Sequence, residues 1–340
     1  MNTLRNIAGA FIIGSCIFIP AYSQEKSPYI PEIHGTIRAK YEYEPQISAG
    51  RFEVRNARVS INGNILPIIS YKAEIDLSDE GKIKMLDAYV RYLPERVKAN
   101  VTMGQMRVPF TIDAHRSPHL QYFANRSFIA KQVGNVRDVG IAGMYQFGRT
   151  VPVTIEGGIF NGSGLTNQKN YWTKNYNFSA KATVSFYNRV TVEASAQKTR
   201  PDGTGIMMWD AGAYYDDAKW HVEAEYLRKN YSHGAFPGVN AVDAFVCRTF
   251  RLKNYLTGIS VLGRYDYMSD HSNGIRDDSG SLCVDDPERH RMTLGTTLHF
   301  GGKKVYADLR INYEKYFYKT GVAPGISDQD KFVVELMCHF

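Results

Sequence analysis

The run Ile33-His34-Gly35-Thr36-Ile37-Arg38-Ala39-Lys40-Tyr41-Glu42-Tyr43-Glu44 alternates between two kinds of side chain along its whole length. Successive residues of an extended strand point to opposite faces. Ile33, Gly35, Ile37, Ala39, Tyr41 and Tyr43 therefore share one side, while His34, Thr36, Arg38, Lys40, Glu42 and Glu44 share the other. One side suits an apolar medium and the other suits water. A core strand of a sandwich would rarely carry four consecutive charges on its second face, although an edge strand can.

The same period recurs to the end of the chain. Further strands are expected over 55–65, 69–78, 83–93, 99–108, 138–148, 151–160, 176–187, 189–199, 207–216, 219–231, 240–252, 256–269, 290–300, 304–317 and 331–340, sixteen in all with the first. In the fourth, Leu86, Ala88, Val90 and Tyr92 are expected to oppose Asp87, Tyr89 and Arg91. The links after even-numbered strands are tight, and those after odd-numbered strands are mostly longer, notably 109–137, 161–175, 270–289 and 318–330. That alternation gathers the long loops at one end of an up-and-down antiparallel sheet, as in bacterial outer-membrane barrels.

Composition agrees. The 340 residues are 44% apolar and 22% charged, with 23 Tyr, 17 Phe, 29 Gly and 13 Pro and a mean hydropathy of −0.34. This excludes a disordered chain and a helical membrane protein. The apolar run from Ile7 to Ala21, preceded by Arg5 and followed by Ala21-Tyr22-Ser23, reads as a secretory signal over 1–23. A lipoprotein box at Ile13–Cys16 is the competing reading. A short periplasmic segment over 24–32 and a barrel over 33–340 follow. Without the signal, 40 Lys and Arg face 34 acids, too mild an excess for a nucleic-acid binder. Cys247, Cys283 and Cys338 are too few and too widely spaced for a disulfide framework.

Sixteen strands would need two or more sandwich domains, yet no linker breaks the chain. Aromatic residues near strand ends, among them Tyr41, Tyr43, Tyr145, Trp209 and Trp220, suit interfacial girdles. Phe332, Val334, Leu336, Cys338 and Phe340 share one face of the last strand, and ending on Phe340 resembles the signal read by the barrel assembly machinery. The expected fold is all-β: a transmembrane antiparallel up-and-down β-barrel of about sixteen strands in the bacterial outer membrane. Its partners would be outer-membrane lipid and lipopolysaccharide. A ring of that size is wide enough to leave an aqueous channel.

The third external link, 109–137, is the longest, and a loop of that length in a compact protein is usually functional. It holds Arg116, Arg126, Lys131 and Arg137 against one acid, Asp113, with His115 and His119, and with Tyr122, Phe123 and Phe128 as anchors against the wall. In general porins a long third loop folds inward and narrows the pore, so by that resemblance this one forms a basic constriction. By parity, Arg38, Lys40, Arg58, Lys72, Arg91 and Arg264 face the lumen, but inward acids are about as numerous, so any one Arg can be plain wall lining.

Leu86-Asp87-Ala88-Tyr89-Val90, Gly104-Gln105 followed by Pro109-Phe110, Arg126, Arg137-Asp138-Val139-Gly140 and Gly263-Arg264-Tyr265 appear in order around that loop. In these the chain resembles the phosphate-selective porins O and P. The resemblance implies a sixteen-stranded channel, usually trimeric, in which arginines guide small anions and a basic constriction binds phosphate. The anion path would then comprise Arg116, Arg126, Lys131, Arg137, Arg107, Arg38, Lys40, Arg58, Lys72, Arg91 and Arg264. A non-selective porin and a plugged barrel serving as a scaffold or adhesin are the alternatives. No nucleophile elbow, phosphate-binding Gly loop or zinc spacing is present, and Pro118 interrupts the His115/His119 pair, so neither an enzyme nor a metal or other cofactor is expected. The acids from Asp270 to Glu288 read as a solvated external loop, with a cluster that holds calcium or bridges surface lipid through divalent cations as the competing reading.

Overall fold

The computed structural model describes residues 29–133, 137–165, 168–302, 304–322 and 324–340; the expected leader over 1–23 and most of the segment 24–32 lie outside them. The strands are β1 (Glu32–Glu44), β2 (Ala49–Leu66), β3 (Ile69–Asp79), β4 (Lys82–Tyr92), β5 (Ala99–Arg107), β6 (Arg137–Phe147), β7 (Val153–Phe160) and β8 (Asn177–Phe186). They continue as β9 (Val190–Thr199), β10 (Ile206–Asp216), β11 (Trp220–Tyr231), β12 (Val239–Arg251), β13 (Leu256–Met268), β14 (Arg289–Gly301), β15 (Tyr306–Tyr318) and β16 (Lys331–His339). All pair antiparallel with their sequence neighbours in one closed barrel.

β1 closes on β16 in the register Thr36↔His339 to Tyr43↔Phe332. Beyond it, Gly35 N donates to Phe340 O at 2.7 Å and Phe340 N donates to Gly35 O at 3.0 Å. A Cβ on Gly35 would lie 2.2 Å from Phe340 Cζ, so the Phe340 ring rests on bare backbone. Closure leaves no unpaired strand edge, which a membrane would not tolerate. The expected alternation holds at this seam: Phe332, Leu336 and Phe340 are about half exposed toward the lipid side, while Val333, Glu335 and Met337 are buried toward the lumen. Cys247, Cys283 and Cys338 are free thiols.

Two β-bulges correct the sequence reading. In β2, Arg38 pairs with Asn56 and Ala39 with Val54, leaving Arg55 as an extra residue. The outward residues are therefore Phe52 and Val54 before the bulge but Val59 and Ile61 after it. That slip of parity hides the first part of the strand, which begins at Ala49, not at Arg55. In β4, Glu74 pairs with Asp87 and Ile75 with Met85, so Leu86 is the extra residue. Leu86 is buried in the lumen wall and does not share the lipid face as expected. A bulge bends its strand and re-aims side chains; here it turns Lys84 and Asp87 to the same side of Leu86. With β2 starting early, the first external link shrinks to 45–48 and the second is 80–81, so the long-short alternation applies from the third link onward.

Candidate permeation path

The third external loop (108–136, described through 133) turns into the ring. Its backbone is bonded to inward side chains on many sides of the barrel. Thr111 N donates to Ser195 Oγ at 3.1 Å, and Ile112 N and Asp113 N donate to the Glu225 carboxylate at 2.5 and 3.3 Å. Farther along, Ala124 N donates to Asn312 Oδ1 at 2.9 Å and Phe128 N to Asp266 Oδ1 at 3.3 Å. In return Arg38 donates to Ala124 O at 2.6 Å, Arg264 to Asn125 O at 3.0 Å and Arg291 to Arg126 O at 2.7 Å. Irregular backbone is costly to bury unless its polar groups are paired, and the lumen wall supplies the partners.

Apolar packing decides which wall the loop lies against. Phe110, Phe128 and Ile129 cluster with Met208, Leu227, Val239, Ala241 and Met268 from β10–β13. Phe123 packs with Phe245, Cys247 and Leu262. Inward apolar residues do not suit a wet wall; covered by the loop they contribute roughly 1.5–3 kcal/mol per large side chain. Arg264 and Arg291 lie over the Phe123 and Phe128 rings at 4.3 and 4.6 Å, cation–π contacts that add to this anchoring.

The loop thus covers the β10–β13 wall and leaves space along β1–β4. An external cavity of about 980 Å³ lies there, its described lining carrying nine basic side chains against four acidic ones. Arg58 is in its wall and also in the wall of a second cavity of about 240 Å³, lined by Lys72, Glu74 and the loop residues Ser117, Pro118 and His119. Lys72 and Asn62 in turn line a third cavity of about 480 Å³ that includes Arg91. The three adjoin in series from the long-loop end toward the other mouth.

The expected site residues divide into two groups. Lys40, Arg58, Lys72, Arg91, Arg126 and Lys131 line these cavities. Lys40 stands between Glu42 and Glu53 at 2.8 and 3.3 Å, Arg58 beside Asp76 at 2.8 Å, Lys72 between Glu74 and Asp87 at 2.7 and 2.8 Å, and Lys131 by Asp328 at 3.2 Å. Among the described residues no carboxylate ion-pairs with Arg91 or Arg126; Arg91 donates to Thr102 Oγ1 at 2.9 Å and Arg126 to Arg116 O at 3.5 Å.

The second group braces the loop and the wall. Arg38 pairs with Glu335 at 2.7 Å, Arg107 donates to His115 O, Arg137 pairs with Asp87 and Glu74 at 2.7 and 3.2 Å, and Arg264 pairs with Asp266 at 2.8 Å. Arg116 bridges Asp113 and Glu223 at 3.1 and 2.5 Å, and these acids hold its guanidinium above the ordinary value against the opposing effect of burial. Burial, with Lys181 and Arg107 near, pulls His115 down to about 3; burial, with His339 near, pulls His119 to about 4.

Arg51, Arg55 and Lys84 also line the external cavity and were not singled out from the sequence. Arg51 sat in a stretch read as loop, Arg55 was read as the first residue of the second strand, and Lys84 precedes the bulge. Residual alternation on each side of a slip is the signal that could have found them.

The phosphate-selective porin O and P family matches residues 33–212, more than half of the chain. The chain belongs to this family. It is an outer-membrane porin, and no curated protein sequence matches it. Among solved structures, the porin resembles the anion-selective porin from Comamonas acidovorans at 10% identity and a TM-score of 0.63, covering 91% of this chain and 98% of that one. It also resembles the trimer form of OmpT from Vibrio cholerae (10%, 0.61, covering 92% and 98%) and the channel DcaP of Acinetobacter baumannii (13%, 0.59, covering 91% and 96%). At such identities the likeness shows the barrel fold alone.

Proposed function

We propose that this porin passes small anions by passive diffusion along the β1–β4 wall, with phosphate as the preferred substrate. The observation that carries the reading is the excess of nine basic over four acidic side chains around the external cavity. Opposite it, Glu223, Glu225 and Asp266 are engaged by Arg116, by loop N–H groups and by Arg264 and Arg291. A cleft lined by one sign of charge concentrates the opposite ion. Arg presents a planar fork to phosphate oxygens, and charge-assisted bonds are worth about 1.5–3 kcal/mol each. Because Lys40, Arg58 and Lys72 each keep a carboxylate partner, an anion meets a series of weak sites, which suits throughput.

The same pairing favours the second reading, a general porin of little selectivity. Family and fold both support a channel in preference to an enzyme. A homotrimer is part of the proposal, as are assembly through the Phe340 strand by the barrel assembly machinery and contact with lipopolysaccharide. Single-channel current of the refolded protein in a planar bilayer, under a KCl gradient with phosphate titrated externally, tests it. An anion-selective reversal potential with phosphate block is expected. Conductance without selectivity or block would leave the general porin, and absence of conductance from a heat-modifiable barrel would leave a plugged scaffold.

A further inference from the structure

On the wall opposite the path, beneath the third loop, Glu223 and Glu225 of β11 and Asp243 of β12 bring carboxylate oxygens within 4.8 Å of one another. Their exposures are 1%, 2% and 1%. Glu223 Oε1 and Asp243 Oδ1 are buried without a hydrogen-bond partner, and so is Asp210 Oδ2 on the adjacent β10. Positive charge here is scarce. Arg116 bonds Glu223 Oε2 at 2.5 Å, with His221 Nε2 3.0 Å from the same oxygen. Arg264 Nε is 3.8 Å from Asp243 but 2.8 Å from Asp266, to which it is committed. Buried charges of one sign are costly unless paired or bound to a metal.

We propose that Glu223, Glu225 and Asp243 hold a divalent cation of the calcium class that fastens the third loop to the β11–β12 wall. The donors are all carboxylate oxygens, the ligand set of a hard cation. Ca²⁺ takes six to eight oxygens at about 2.3–2.6 Å and tolerates irregular and bidentate geometry, whereas Mg²⁺ demands a near-ideal octahedron. The oxygens lacking partners are the ones left free to ligate. Each carboxylate oxygen has a second lone pair, so Glu225 can ligate while accepting Ile112 N and Asp113 N. The ion would thereby order the residue that receives the loop backbone and the residue that receives Arg116.

The test is a calcium titration by calorimetry of the full, folded, EGTA-stripped barrel, with Mg²⁺ as competitor. One Ca²⁺ per chain is expected. Asp243→Asn should weaken it roughly tenfold or more, and the heat-modifiable mobility of the barrel should be unchanged; Glu225→Gln is the second variant should the first fail to fold. No calcium uptake by the unsubstituted barrel, or uptake unaffected by the substitutions, would overturn the proposal. Binding is read without reference to ion selectivity, so this result and the anion reading stand or fall separately.

Discussion

Arg58, which lines both the external cavity and the one beneath it, stands 2.8 Å from the Asp76 carboxylate. On the proposed path, an anion crossing between the cavities would compete with Asp76 for that guanidinium, and the competition would weaken the site and let the ion leave.

Arg58→Gln removes one positive charge at this junction and breaks the ion pair with Asp76. At about 4 Å in water a unit charge is worth about 1 kcal/mol, roughly sixfold in relative anion permeability. The reversal potential under a KCl gradient should move toward cations by about that factor, and an unchanged potential would place the path elsewhere.

Arg126 and Arg116 should behave differently although both lie in the same loop. Arg126→Gln, in the cavity wall without an acidic partner among the described residues, should lower anion preference and leave current noise alone. Arg116→Gln frees Glu223 and Asp113 and should raise open-channel noise as the loop loosens. Identical phenotypes would argue against the division into path and brace.

His115 and His119 are pulled down to about 3 and 4 when the loop is seated, but titrate near 6.5 when it is released. The released loop then binds protons that the seated loop does not, so seating is fully held above about pH 6.5 and weakens as pH falls toward 4. Noise in single-channel traces should rise over that window, and His115→Gln with His119→Gln should flatten the dependence.

Phe128 is fully buried between the loop and the wall. Phe128→Ala should cost about 3–5 kcal/mol of that packing, and the barrel ladders do not depend on it. Larger conductance with an unchanged heat-modifiable shift on gels is the expected pair of results. Unaltered conductance would mean that the loop does not narrow the pore.

Gly35→Val would drive a side chain into the Phe340 ring at the closing seam. Lower yields of heat-resistant barrel on refolding are expected, and Phe340→Ala in the same chain should restore part of the loss because it removes the obstacle. No rescue would indicate that the backbone, not the ring, requires glycine there.

Strand number, closure and the assignment of most side chains to lipid or lumen were legible in the sequence, because a membrane barrel writes its two environments into a local period of two. Phe332, Leu336 and Phe340 outward with Glu335 inward needed no tertiary information. The exceptions were Arg55 and Leu86, where one extra residue shifts the parity and a period alone registers only an end of pattern. Inward basic residues could likewise be named, but not sorted. Arg116 and Arg126 lie ten positions apart in one loop, and only the tertiary structure makes one a brace and the other part of a cavity wall. That distinction depends on which carboxylates the register of distant strands brings within reach, and on the apolar patch of β10–β13 that draws the loop to one side of the lumen.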